Sequence, residues 1–325
     1  MSNDASEYQF LNKLYAQIVN GFSECKWNSR KLYIRHFGVA EQFQIQQKYD
    51  EVFAKASDEG LPTEEETLKL LKEEGSWSAE EEKEITDKES YVQGLRQSRK
   101  HLIIPSQIEQ LSKQLEVAEK ELIELKIVKD SLLKNTCEAF ADHRSNDYSV
   151  YLSFCQNITL DNLFTSEEFD ELDKVELNDL VMRYNKTMND LNTYNIQKIA
   201  IAPFFVNYFN ITGDSPYSFF EGPVSKLSYY QVNLLNYGRV FKSIFENVPD
   251  IPDHVMEDPE KILDYAESSK KTEKTRDRAQ QADGYSVVGA TEGDLKTMGL
   301  KDGTTKSIFD LAREKGGNLD ITDFK

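Results

Sequence analysis

Polar and apolar positions alternate first in "KLYIRHF", where Leu32, Ile34 and His36 share one face and Tyr33, Arg35 and Phe37 share the other. Period-two alternation is the signature of a half-buried strand. With "NSR" as the turn, "GFSECKWNSRKLYIRHFG" (21–38) predicts a small β-hairpin. The period then lengthens. "AEQFQIQQKYDEVFAKASDEG" (40–60) places Phe43, Val52, Phe53 and Ala56 at helical intervals.

"GLPTEEE" (60–66) and "GSWSAEE" (75–81) repeat one punctuation: a glycine, two residues, a hydroxyl residue, and a glutamate three positions later. Gly60 and Gly75 suit left-handed helix ends. Thr63 with Glu66 and Ser78 with Glu81 suit capping boxes, and acids in the first turn favour the helix dipole. A short helix over 64–74 follows, with Trp77 at the corner after it. Two roles remain open for Trp77: a pin that packs under the turn, or an anchor for a partner, since Trp is enriched at binding hot spots.

The strongest periodicity lies further on. Ile108, Leu111, Leu115, Ala118, Leu122, Leu125 and Leu132 step by alternating threes and fours, with Lys129 at the broken position. Ile85, Val92, Leu95 and Leu102 give a weaker upstream seam. Joined near "LIIPSQ", the two predict an antiparallel helical hairpin over about 79–101 and 106–135. The seam closes on itself or is shared with another chain.

From 138 to 248 aromatics dominate. "KVELNDLVMRYNKTMNDLNTYN" reads as one long amphipathic helix, lined by Leu177, Leu180, Val181, Tyr184, Met188 and Leu191. Pro203 starts or kinks a segment carrying Phe204, Phe205, Tyr208 and Phe209; "GDSPYSFFEGP", with Phe219 and Phe220, reads as a loop; "VSKLSYYQVNLLNYGRVFKSIF" reads as a last long helix. Large aromatics bury the most area, so the main core belongs here. "SKKTEKTRDRAQQADG" reads as a solvated linker and the chain beyond it as a flexible tail with short docking segments. The expected organisation is therefore mainly α. It has an N-terminal β-hairpin with short helices (1–78), a helical hairpin (79–135), an aromatic-rich helical domain (136–266) and a flexible linker and tail (267–325).

Charge narrows the partners. The 325 residues carry a net −18, and residues 58–90 hold 13 acids against 4 bases, half of the excess. Such a body repels phosphate backbones, so nucleic acid is not an expected partner and a basic or hydrophobic protein is. No run of about 18 apolar residues predicts a membrane span, and "MSNDASEYQF" does not read as a secretory signal. Cys25, Cys137 and Cys155 are scattered, which suits free thiols in a reducing compartment. The four histidines lie far apart, no cysteine pair has ligand spacing, and "GYSVVGAT" lacks the lysine of a phosphate loop, so no cofactor or metal is expected. The one catalytic-looking cluster, Glu138, Asp142 and His143 in "CEAFADHR", is equally a solvated helix end. No enzyme is predicted.

The order of "LYIRHFG", "LPTEEETLKLLKEEGSWSAEEEKEI", a helical hairpin, "NTCEAFADHRSND" and the aromatic region resembles tail assembly chaperones of large tailed bacteriophages. The endings "YSVVGATEGDLKTMG" and "KGGNLDITDF" resemble their flexible tails. The resemblance implies a non-enzymatic protein of the host cytoplasm that shields a long helical partner, the tape-measure protein, before the tail tube forms. It transfers no functional residues. The composition equally suits a structural virion component of baseplate or neck, or a coiled-coil adaptor. The residues that would grip a partner are Trp77, Phe204, Phe205, Tyr208, Phe209, Phe219 and Phe220. If those aromatics are all core, the tail after Tyr285 becomes the contact.

Overall fold

The computed structural model describes residues 2–267 apart from Ile103, Asp214 and Pro249, together with Ser269. The linker and the tail after Tyr285 lie outside the described residues. The protein is mainly helical with one small antiparallel sheet. Its described residues divide into two compact units, one of 2–66 with 134–262 and one of 67–133 with 263–267.

In the first unit, α1 (Ser2–Asn20) leads into β1 (Phe22–Trp27) and β2 (Arg30–Arg35), which pair antiparallel from Phe22 opposite Arg35 to Trp27 opposite Arg30. Asn28 and Ser29 at the turn both have positive φ, 46° and 64°. That is the backbone of the turn whose twist matches a two-residue hairpin. β2 buries Leu32, Ile34 and the following His36, as the alternation predicts. α2 (Val39–Asp58) follows, then α3 (Glu64–Glu74) after Gly60, whose φ is +88°.

The second unit holds the rest of α3, then α4 (Ala79–His101) and α5 (Pro105–Leu133). Thr63 and Ser78 start their helices as the capping pattern predicts: Thr63 N–H donates to Glu66 at 2.9 Å and Ser78 N–H to Glu81 at 2.6 Å. α4 and α5 form the helical hairpin, with Val92, Leu95 and Ala118 buried and Leu111, Leu115 and Leu122 packed against them. The seam thus closes within the hairpin. Cross-hairpin ion pairs flank it, Lys126 to Glu89 at 2.6 Å and Arg96 to Glu119 at 2.6 Å.

Back in the first unit, α6 (Cys137–Ser153) lies along α2 and ends in β3 (Phe154–Cys155), which pairs with β2 at Tyr33 and Ile34. α7 (Ser166–Asp170), α8 (Lys174–Asp190) and α9 (Thr193–Ile201) follow. The expected single helix over 174–195 is two. Asn192 leaves the helix and accepts from Asn195 N–H at 2.9 Å, an N-cap that restarts the chain in a new direction. α10 (Pro203–Thr212) begins at Pro203, where the missing N–H costs nothing. The expected loop at 213–223 contains a short helix, α11 (Pro216–Phe220). The last long helix, α12 (Tyr229–Asn247), starts later than expected, because Ser228 and Gln231 form a capping box after a 3-10 turn at Val224–Lys226. α13 (Asp253–Met256) and a helical stretch over 259–267 end the described chain.

Among the described elements that went unread in the sequence are α1 and β3. Within the first unit, one core joins the β-hairpin to the helical region, with Leu32, Ile34, Val150, Phe154 and Leu180 buried together and Val181, Tyr184 and Met188 around them.

Candidate protein-binding surface

α10 presents two apolar stripes, because its aromatic residues are not confined to one set of helical intervals. Phe205 and Phe209, four apart, point inward; Phe204, Tyr208 and Ile211, at spacings of four and three, share the adjacent face. Phe205 and Phe209 stack with ring centroids 5.3 Å apart, and Phe219 closes on them at 5.6 and 6.0 Å. All three are buried. They hold the helices together and offer nothing to a partner in this state.

The inward packing is tight because of a glycine on α12. A β-carbon at Gly238 would meet the rings of Phe205 and Phe209 at 3.0 Å. Gly238 lets those rings lie on the helix backbone, which outweighs its poor helix propensity. Beside them opens a cleft of about 160 Å³, lined chiefly by Phe205, Phe209 and Phe245 with Lys242 and Glu246 in its polar lining. It is smaller than the cavities that enclose cofactors, roughly 300–1,000 Å³.

The second stripe faces outward. Tyr208 is 45% exposed, Ile211 84% and, on α11, Tyr217 69%. Phe204 is half-buried and continues the stripe onto α1, edge-to-face with Tyr8 at 5.5 Å and tilted against Tyr15 at 5.5 Å. Tyr208 packs edge-on against Phe219 at 5.2 Å, and half-buried Phe220 does so at 4.8 Å. The surface is therefore an aromatic rim held rigid by a buried aromatic cluster. Of the expected grip residues, Phe204, Tyr208 and Phe220 reach this surface. Ile211 shares the face of Phe204 and Tyr208 on α10 and was missed, as was exposed Tyr217 on α11. The step from Phe204 to Tyr208 to Ile211 was the signal that could have found Ile211.

Trp77 lies in the other unit and is 2% exposed. Its indole N–H donates to Glu82 at 2.9 Å, and the other oxygen of Glu82 accepts from Lys129 at 2.7 Å. Those two hydrogen bonds, Lys129 first, hold the Glu82 carboxyl below its usual range. Gly75, at φ +74°, turns the chain so that Ser76 and Trp77 N–H both donate to Leu71 O. Trp77 is a pin for this corner.

The catalytic-looking cluster does not converge. Glu138 accepts from Glu64 N–H at 2.9 Å, capping the start of α3, while Asp142 and His143 are exposed. No group of three or more metal-ligating side chains gathers among the described residues. The Cys25 thiol is pushed up to about 11 by burial, so it is a poor nucleophile. Cys137 and Cys155 are buried and also raised by burial. No described helix is long and apolar enough to cross a membrane. In comparison with known proteins, no family model, no curated protein and no solved structure matches this chain.

Proposed function

We propose that this protein is a non-enzymatic binder of an amphipathic helix from another protein, and that it serves phage tail assembly by holding the tape-measure protein. The observation that carries the binding is the outward stripe of Phe204, Tyr208 and Ile211 on α10. Contiguous exposed apolar side chains on a protein this acidic mark an interaction surface more readily than a solvated face. Aromatic residues supply large contact area at small entropic cost, and the buried cluster behind them pre-organises the surface. The net charge of −18 favours a partner whose helix carries basic residues beside its apolar face. The assignment to tail assembly rests on the resemblance of the segment order alone.

The test is co-expression with a candidate tape-measure protein, followed by pull-down. The native chain should keep the partner soluble, and Ile211→Asp with Tyr208→Asp should abolish capture while the melting temperature holds. Capture that survives both substitutions would move the contact elsewhere. A partner that stays insoluble with the native chain, together with stoichiometric presence of this protein in finished particles, would replace the chaperone reading with that of a structural virion component.

A further inference from the structure

α10 has a second face that the outward stripe does not use. At about 100° per residue, Val206 and Asn210 lie on the side of the helix opposite Phe204, Tyr208 and Ile211. That side borders the cleft of about 160 Å³, which α9, α10 and α12 line together. Half-buried Val206 and Phe245 line it with the buried rings of Phe205 and Phe209. Ala200 and Gly238 complete the lining at positions where larger side chains would fill the space. The volume suits one small apolar group, since a dry protein cavity of about 150 Å³ holds a benzene molecule.

The polar lining is Asn210, Lys242 and Glu246. Asn210 and Glu246 are exposed and mark the mouth, and Lys242 is half-buried. Lys242 and Glu246 are four residues apart on α12. At the same spacing on α2, Lys55 pairs with Glu59 at 3.9 Å. Lys242 and Glu246 form no ion pair with each other or with another charge among the described residues. An apolar hollow with a few convergent polar groups is the usual form of a small-ligand site. In this one the polar groups are a cation, an anion and an amide.

We propose that the cleft binds a free amino acid with an apolar side chain, phenylalanine being the one whose ring matches its volume. The ring packs against Phe245, Lys242 takes the carboxylate and Glu246 takes the ammonium group. Both charges of the ligand are needed. A carboxylate alone would meet Glu246 and the field of a molecule of net charge −18, and an ammonium alone would meet Lys242. A zwitterion is neutral as a whole and pairs with both side chains. The site lies across α10 from the outward stripe and does not rest on the binding of a partner helix.

Isothermal titration of the full chain with phenylalanine, 3-phenylpropionate, phenethylamine and N-acetylphenylalaninamide tests this, with saturation-transfer NMR for the weaker ligands. Phenylalanine should bind with a Kd on the order of 1 mM, and the two singly charged analogues about fivefold more weakly, because each loses an exposed ion pair. Lys242→Met should remove the advantage of phenylalanine over phenethylamine. Glu246→Gln should remove its advantage over 3-phenylpropionate. Both replacements keep the length of the side chain, and unchanged melting temperatures certify folding; the ranking on the native chain needs no variant at all. No binding of phenylalanine at about 10 mM, or equal affinity for phenylalanine and its singly charged analogues, would overturn the proposal. N-acetylphenylalaninamide binding as tightly as phenylalanine would overturn it in favour of a side chain from another protein. A ranking unchanged in both variants would place the ligand outside this cleft.

Discussion

His36 is buried beside the edge of Tyr230, with ring centroids 5.1 Å apart, and burial lowers its pKa from 6.5 to about 3. Ser23 Oγ donates to Gln17 Oε1 at 3.1 Å, so at 2.9 Å the His36 Nε2–H must donate to Ser23. Nδ1 is then an acceptor with no hydrogen-bond partner in the structure. The folded state keeps this ring neutral, whereas the unfolded chain takes up a proton below about pH 6.5. Stability from this group is therefore present above pH 6.5 and lost as pH falls toward 3, with a slope near 1.4 kcal/mol per pH unit. His36→Gln, which keeps the donor to Ser23 and removes the titration, should flatten the urea-melt stability between about pH 6 and 4 by that slope. An unchanged profile would place the loss in the carboxylates instead. Gly238 makes a second case. Its substitution by alanine gains about 1 kcal/mol in helix propensity but drives a methyl into buried rings, so a net loss of roughly 1–2 kcal/mol is expected in thermal melts.

The hairpin of α4 and α5 is where an element's sequence and its energetics meet. Leu115→Ala and Leu122→Ala should each cost roughly 2 kcal/mol, the low end of the range for core leucines, because both side chains are only partly buried in the seam. Lys129 breaks the seam but is engaged, since it shares Glu82 with the Trp77 indole. That pair is partly exposed, at 23 and 34% of the side chains, and contributes about 1 kcal/mol or less. Lys129→Leu should then leave the urea midpoint within about 1 kcal/mol of the native value, the lost pair offset by burial of leucine. Trp77→Ala should cost more, about 3 kcal/mol, since a nearly fully buried indole is removed. Equal effects of the two variants would show that the ion pair, not the indole, fixes the corner.

At the scale of the molecule, acidity and the apolar rim act at different ranges. Under the proposed function, the 13 acids of residues 58–90 would attract a basic partner from a distance, while the α10 stripe would decide whether it stays. Raising salt from about 0.05 to 0.5 M should slow association severalfold and leave the dissociation rate of the captured helix nearly unchanged, as stopped-flow or surface-binding kinetics would report. Ile211→Asp should do the reverse. A dissociation rate that tracks salt would put charged side chains in the buried centre of the contact.

The sequence by itself determined where the β-hairpin and the helices α2 to α5 begin and end. Helix ends and hairpin turns are chosen by neighbours a few residues apart: Thr63 with Glu66, Ser78 with Glu81, the glycines at 60 and 75, and the "NS" turn that tolerates positive φ. The hairpin seam was legible for the same reason, because helical period is a local property. Whether an apolar side chain points into the fold or out of it was decided only by tertiary packing. Phe205 and Ile211 are similar neighbours on one helix, and the difference between 0 and 84% exposure comes from which face of α10 meets Gly238 on α12. Likewise β3 is two residues long, too short to have a period, and exists because the end of α6 arrives beside β2. The division into units follows the same logic: residues 2–66 and 134–262 share one core although 67 residues separate them in sequence. Burial depends on contacts between distant segments, and no local pattern encodes which distant segments meet.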